Sequence, residues 1–156
     1  MTFQFKKPED SPGFLLWQLT NHWQRLQRQA LIKLGITHAQ FVVLAAMLWL
    51  SDLNKNEITQ KIISELTNID KMSMSDLVTL LEEKKLIKRQ KSKIDGRAFS
   101  LSLTEKGQKT ALKAVPIVEK IDADFFNSRT PNLARFSSLL KSIILPKRRS
   151  RADCHH

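Results

Sequence analysis

Near residue 86 the hydrophobic period of this chain changes from helical to two, and that change restricts the fold more than any other feature. Before it, Ile58, Ile62 and Leu66 recur at helical spacing and Thr67-Asn68 interrupts them. Met74, Leu77, Val78 and Leu81 then form a second apolar stripe behind Asp70, a good N-cap. After it, LIKRQ and AFSLSL alternate or nearly so around the seven-residue loop KSKIDGR. Two short helices joined by a tight turn make a helix-turn-helix, and a hairpin directly behind them makes it winged. The spacing predicts the first of these helices from Glu57 to Leu66, after a polar turn at Asn54 to Asn56.

Longer helices flank this block. Leu16, Leu19, Trp23, Leu26, Ala30 and Leu34 predict a helix from Phe14 to Leu34, stopped by Gly35. Thr37 and Gln40 fit a capping box, with Ile36 and Phe41 as its hydrophobic staple. The helix they begin, residues 38–51, is apolar on nearly every side and is expected at the centre of the core. Thr104 caps a segment from Glu105 to about Phe126, which Pro116 is expected to kink or split. Thr130 as cap and Pro131 at the first helical position open a last helix, carrying Leu133, Phe136, Leu140 and Ile143 as far as Pro146. The expected class is mostly α with a small β-hairpin wing (α+β), a winged helix-turn-helix between long terminal helices.

Charge indicates the partner. A formal net charge of +11 on 156 residues favours polyanions, nucleic acid or an anionic membrane surface. From Lys84 to Arg97 there are seven basic residues and one acidic, concentrated on the hairpin. Neutralising phosphates with such a cluster releases condensed counterions and gives salt-sensitive affinity. On the second short helix, Met72, Ser73, Ser75, Asp76 and Thr79 are placed to reach base edges, with Lys71 as a phosphate partner in the first turn. Asp76 can accept from a cytosine amino group and otherwise repels phosphate. The plain alternative for each residue is a solvated helix face.

Other classes find little support. The four glycines, at 13, 35, 96 and 107, are too scattered to cradle a phosphate, and no catalytic or paired-cysteine spacing occurs. His22 and His38 are isolated, and Cys154-His155-His156 ends a basic tail, so neither an enzyme, a cofactor nor a metal site is expected. The longest apolar run, Phe41 to Leu50, has ten residues, about half of what a membrane-spanning helix needs. The N-terminal MTFQFKKPEDSPG has no apolar run behind its charges, so a cytoplasmic protein is expected.

The order of elements, and several residues in it, resembles the MarR family of bacterial transcriptional regulators over roughly residues 14–145. The most specific stretch is LVTLLEEKKLIKRQKSKIDGRAFSLSLTEKG, which holds the helix end, the Leu-Ile-x-Arg strand, the Asp-x-Arg wing tip and the Leu-Thr-x-x-Gly helix start in register; LGITHAQFVVL matches the start of the second helix. Lys85 stands where the family usually has glycine, and Gly96 where the wing usually has a second basic residue.

The resemblance implies that Arg97 enters the minor groove, where narrow width strengthens the negative potential. Asp95 would support it, and Lys91 and Lys93 would lie beside it on the wing. It also implies a division into a flexible segment 1–13, a dimerisation helix 14–36, a DNA-binding lobe 37–104, dimerisation helices 105–145 and a basic disordered tail 146–156, assembled as a homodimer on a pseudo-palindromic operator. Family habit favours a repressor. Many relatives take small aromatic or anionic effectors, which here would lie near Trp17, Trp23, Arg25, Met47 and Trp49. Relatives that sense oxidants use a cysteine near the first helix, and this chain has none there. The alternative class is a winged-helix interaction module, or a protein that coats nucleic acid without an operator.

Overall fold

The computed structural model describes residues 4–53, 57–94 and 99–144. These form two compact units, one ending at Ile121 and one beginning at Asp122. The Asn54–Asn56 turn, the Asp95–Ala98 wing tip and the tail from 146, with Cys154, His155 and His156, lie outside the described residues.

Helix α1 spans Pro12–Leu31 and tightens into a 3-10 turn at Ile32–Leu34. It starts just before Phe14 because Ser11 Oγ accepts from the Phe14 amide (3.4 Å) and Pro12 takes the first helical position. Gly35, at φ +68, ends the turn in the left-handed region. Helix α2, His38–Asp52, opens with the expected capping box. The Gln40 amide donates to Thr37 Oγ1 (3.2 Å), and Gln40 Oε1 accepts from the Thr37 amide (3.1 Å). Val43, Leu44 and Met47 are wholly buried, which makes α2 the centre of the core. Each such side chain contributes about 1.5–3 kcal/mol by leaving water.

Helices α3, Gln60–Thr67, and α4, Lys71–Glu83, form the helix-turn-helix. The start expected for α3 at Glu57 is corrected to Gln60. Thr59 Oγ1 caps the helix by accepting from the Ile62 amide (3.3 Å), and the residues before it are extended. Ile58 is buried, as its spacing required, but through strand pairing. Its carbonyl accepts from the Leu101 amide at 2.7 Å, and Thr59 forms an antiparallel bridge with Ser100. Asn68, at φ +56, turns the chain between the two helices.

Helix α4 ends in a Schellman turn. The Lys85 amide donates to the Glu82 carbonyl (2.8 Å) and the Leu86 amide to the Leu81 carbonyl (2.9 Å). Lys85 itself is held at φ +59. The left-handed conformation costs a side-chain-bearing residue about 1–2 kcal/mol, and glycine gives back part of that through its freer unfolded chain. Lys85→Gly is therefore expected to stabilise the protein by about 0.5–1 kcal/mol in urea unfolding. A lowered midpoint would contradict the assignment.

Strand β1, Ile87–Lys91, pairs antiparallel with β2, Phe99–Leu103, Ile87 lying opposite Leu103 and Lys91 opposite Phe99. Ile87 and Leu101 are buried in the core. Helix α5, Glu105–Asn127, starts at Thr104, whose Oγ1 accepts from the Gly107 amide at 3.0 Å. Pro116 does not split it; the helix continues through that residue. The proline leaves the Leu112 carbonyl without its helical donor, but Leu112 and Pro116 lie on the exposed side of the helix, where water can serve it.

In the second unit, α5 finishes and α6, Leu133–Ile144, follows. Its cap is Asn132 rather than Thr130, since Asn132 Oδ1 accepts from the Arg135 amide at 2.9 Å. The Thr130 amide instead donates to the Phe126 carbonyl (2.9 Å), so Thr130 closes α5. Phe126 lies 5.7 Å from Phe136 and edge-on to Phe125 at 5.0 Å, while the Arg129 guanidinium covers Phe125 at 4.3 Å. Among the described residues, no single helix is long and apolar enough to cross a membrane.

Candidate nucleic-acid interface

Helix α4 buries Met74, Val78 and Leu81 and leaves Lys71, Met72, Ser73, Ser75, Asp76 and Thr79 exposed. All six sequence-predicted residues thus share the outer side of one helix. They are not equally free. Asp70 Oδ1 accepts from the Met72 and Ser73 amides (3.0 and 2.9 Å), and its Oδ2 accepts from the Ser73 hydroxyl at 2.6 Å. The Ser73 proton is therefore committed to the cap. The Thr79 hydroxyl donates to the Ser75 carbonyl and accepts from Arg89 Nη2, both at 3.0 Å. Lys71, Met72, Ser75 and Asp76 remain as side chains with unspent capacity toward a ligand, and Met72 is 75% exposed.

The Asp70 carboxyl is held below its ordinary 3.8, first by the Ser73 hydroxyl and then by the backbone amides. A depressed value means that the cap stabilises α4 fully above pH 3.8 and is lost as pH falls through the lower folded value. The start of the helix is therefore intact at neutral pH.

Arg89, in β1, reaches the exposed side of α4, a contact that periodicity did not single out. Its Nε lies 3.1 Å from Glu82 Oε2 and its Nη2 binds Thr79, so one guanidinium braces the hairpin against the exposed side of α4. The Leu-Ile-x-Arg pattern carried the signal, since an arginine on a strand directly behind a helix can reach back to it. Lys84 closes the other end. Its Nζ donates to the Gly35 carbonyl (2.7 Å) and to Gln40 Oε1 (2.9 Å), which ties the end of α4 to the start of α2.

Lys91 and Lys93 are exposed on the hairpin, Lys91 at the last paired position of β1. Asp95 and Arg97, expected at the wing tip, lie outside the described residues. Where the hairpin leaves β1, Glu57 meets it. Ser92 Oγ donates to Glu57 Oε2, and the Lys93 amide donates to Glu57 Oε1 at 2.6 Å. The Ser92 hydroxyl, followed by the Lys93 amide, lowers the Glu57 carboxyl from its ordinary 4.5, so it is ionised at neutral pH.

The five residues expected near an effector cleft are not alike. Trp17 and Trp49 are 64% and 53% exposed, and Arg25 is exposed. Trp23 is partly buried, edge-on to His38 at 4.9 Å. Met47 is a correction: it is wholly buried within the core cluster and presents no surface to a ligand. Its place among the apolar residues of α2 makes it packing. Among the described residues, no group of three His, Cys, Asp or Glu side chains is placed to hold a metal ion.

A helix-turn-helix followed directly by a two-stranded hairpin, with the second helix exposing a polar face beside a basic first strand, defines a winged helix-turn-helix protein. The family model for SarA/Rot transcriptional regulators matches residues 25–113. An uncharacterized HTH-type transcriptional regulator of Bacillus subtilis, YdcH, is 42% identical over 123 residues, covering 79% of this chain and 83% of the relative. Among solved structures, a mutant of MarR from E. coli complexed with operator DNA superposes with a TM-score of 0.75 at 22% identity, covering 85% of this chain and 92% of that one. CouR from Rhodococcus jostii, bound to p-coumaroyl-CoA, gives 0.76 at 22% identity, with 94% and 100% covered. At such identities the two structures speak for the fold. The family model and the Bacillus relative show that the chain belongs to the SarA/Rot transcriptional regulators, and its fold is that of the MarR-family winged helix-turn-helix proteins.

Proposed function

We propose that the chain acts as a dimeric, sequence-specific regulator that binds a pseudo-palindromic duplex operator in the cytoplasm and represses by covering a promoter. One observation carries the reading. A capped helix exposes Lys71, Met72, Ser75 and Asp76, and Arg89 braces it to a hairpin bearing Lys91 and Lys93. Helix residues of these types suit the major groove, and the hairpin lysines suit the phosphates that flank it. Arg97, with Asp95, is assigned to the adjacent minor groove. The operator complex of the E. coli relative supports the same use of this fold.

Exposed apolar surface supports the dimer. Phe14, Leu15, Leu16 and Trp17 are between 39% and 64% exposed on α1, and Leu139, Ile143 and Ile144 between 56% and 76% on α6. Exposed apolar side chains on each of these helices are in keeping with a partner surface. A C2 dimer would carry two recognition helices, suited to half-sites about one DNA turn apart. Sedimentation at micromolar concentration is expected to give twice the 18.0 kDa chain mass; a monomer would contradict the assembly. An aromatic or anionic effector, in keeping with the acyl-CoA complex of CouR, has Trp17, Trp23, Arg25 and Trp49 as its candidate contacts.

The deciding experiment is selection of bound fragments from genomic DNA, followed by affinity against random duplex. A regulator is expected to prefer its selected site by about a thousandfold or more. Equal affinity for random duplex would favour the coating protein instead.

A further inference from the structure

We propose that Glu57 is the positioning residue of the wing: its carboxylate grips the hairpin loop at Ser92 and Lys93 and so sets where Lys91 and Lys93 meet the DNA backbone. The inference rests on the DNA-binding reading above and adds to it a residue from outside both the recognition helix and the hairpin. Glu57 belongs to the link between α2 and α3, and its backbone neighbourhood is fixed to the sheet. The Ile58 carbonyl accepts from the Leu101 amide (2.7 Å), Thr59 bridges Ser100, and Ile58 is buried. The anchor is therefore held by β2 and not by the loop it holds.

The grip uses both carboxylate oxygens. Oε2 accepts from the Ser92 hydroxyl, and Oε1 accepts from the Lys93 amide at 2.6 Å. Ser92 passes the constraint along, because its Oγ also accepts from the Ile94 amide at 3.1 Å, and the side chain is buried. Three consecutive residues at the exit of β1 are thereby tied to one anion. A hydrogen bond to an ionised acceptor is roughly twice as strong as a neutral one, and a hairpin loop on a two-stranded sheet has few other restraints. Lys93 and Ile94 are themselves exposed, so neither is fixed by burial.

The sign of one substitution separates positioning from plain electrostatics. Glu57 is an anion beside a cationic surface, so as a mere charge it would oppose DNA, and Glu57→Gln would then bind duplex more tightly. A positioning residue predicts the reverse. In fluorescence anisotropy with the full chain, Glu57→Gln is expected to weaken duplex binding by about fivefold, and Ser92→Ala to do likewise. The double variant should be no weaker than the worse single one, since both remove the same link. Exchange of the Lys93 and Ile94 amides should quicken in both variants while the unfolding midpoint stays near wild type, which a general loss of stability would not produce. Wild-type binding with an equal or tighter Glu57→Gln complex, or unchanged exchange at Lys93, would overturn the proposal. Failure of the wild type to bind duplex at low salt would instead overturn the regulator reading, and this role with it.

Discussion

Gly107→Ala is expected to destabilise the protein by about 3 kcal/mol or more, at the upper end of what overpacking costs. A Cβ at this position would stand 1.8 Å from the Leu86 carbonyl oxygen and 2.8 Å from its carbon. Both are backbone atoms, so no side chain can rotate away. Nor is Leu86 free to retreat. Its amide donates to Leu81 in the Schellman turn, and its carbonyl accepts from the Thr104 amide at 3.0 Å and the Thr104 hydroxyl at 3.2 Å. The first turn of α5 is thus pressed against the junction of α4 and β1, where the recognition helix gives way to the wing. Relief requires either the cap at Thr104 or the end of α4 to open, and each would loosen the DNA-binding lobe. A fall in the melting midpoint of about 6 °C or more is expected by circular dichroism. A wild-type midpoint would contradict the close approach.

The second large effect separates affinity from specificity. Replacing Lys91 and Lys93 together with glutamine is expected to weaken duplex binding alike for selected and random DNA. The logarithmic salt slope should become shallower by about 0.9 for each phosphate no longer neutralised. Met72→Ala is expected to behave differently. Met72 is 75% exposed in the first turn of α4, where a thioether suits a thymine methyl, so its loss should cost the selected site and leave random duplex nearly unchanged. The discrimination forfeited at a single base pair is about 1–3 kcal/mol. Anisotropy on both duplexes checks the pair. Identical changes for the two variants would contradict the division of labour between wing and helix.

Much of this architecture is legible in the residues, and its failures have physical causes. The capping box at Thr37 and Gln40, the Asp70 cap and the apolar stripe of α4 are local devices, set by neighbours within one helical turn, and all three occur as the sequence implies. The misplaced start of α3 arose because Ile58 is buried by pairing with β2 some forty residues away, which helical spacing imitates. Asn132 outranks Thr130 as a cap because it directly precedes the first turn of α6, while Thr130 is engaged in closing α5. Within the candidate site, exposure on α4 follows from the 3.6 period. The engagement of Thr79 by Arg89, and of the loop by Glu57, depends on pairings between elements and is invisible to any period.

The central claim is that a basic wing beside an exposed helix binds duplex DNA, and fluorescence anisotropy across a salt series tests it most directly, for wild type and for Arg97→Ala. Steep salt dependence is expected for the wild type, and binding several-fold weaker without Arg97. No binding at low salt would contradict the regulator itself, and tight binding indifferent to Arg97 would move the interface away from the wing.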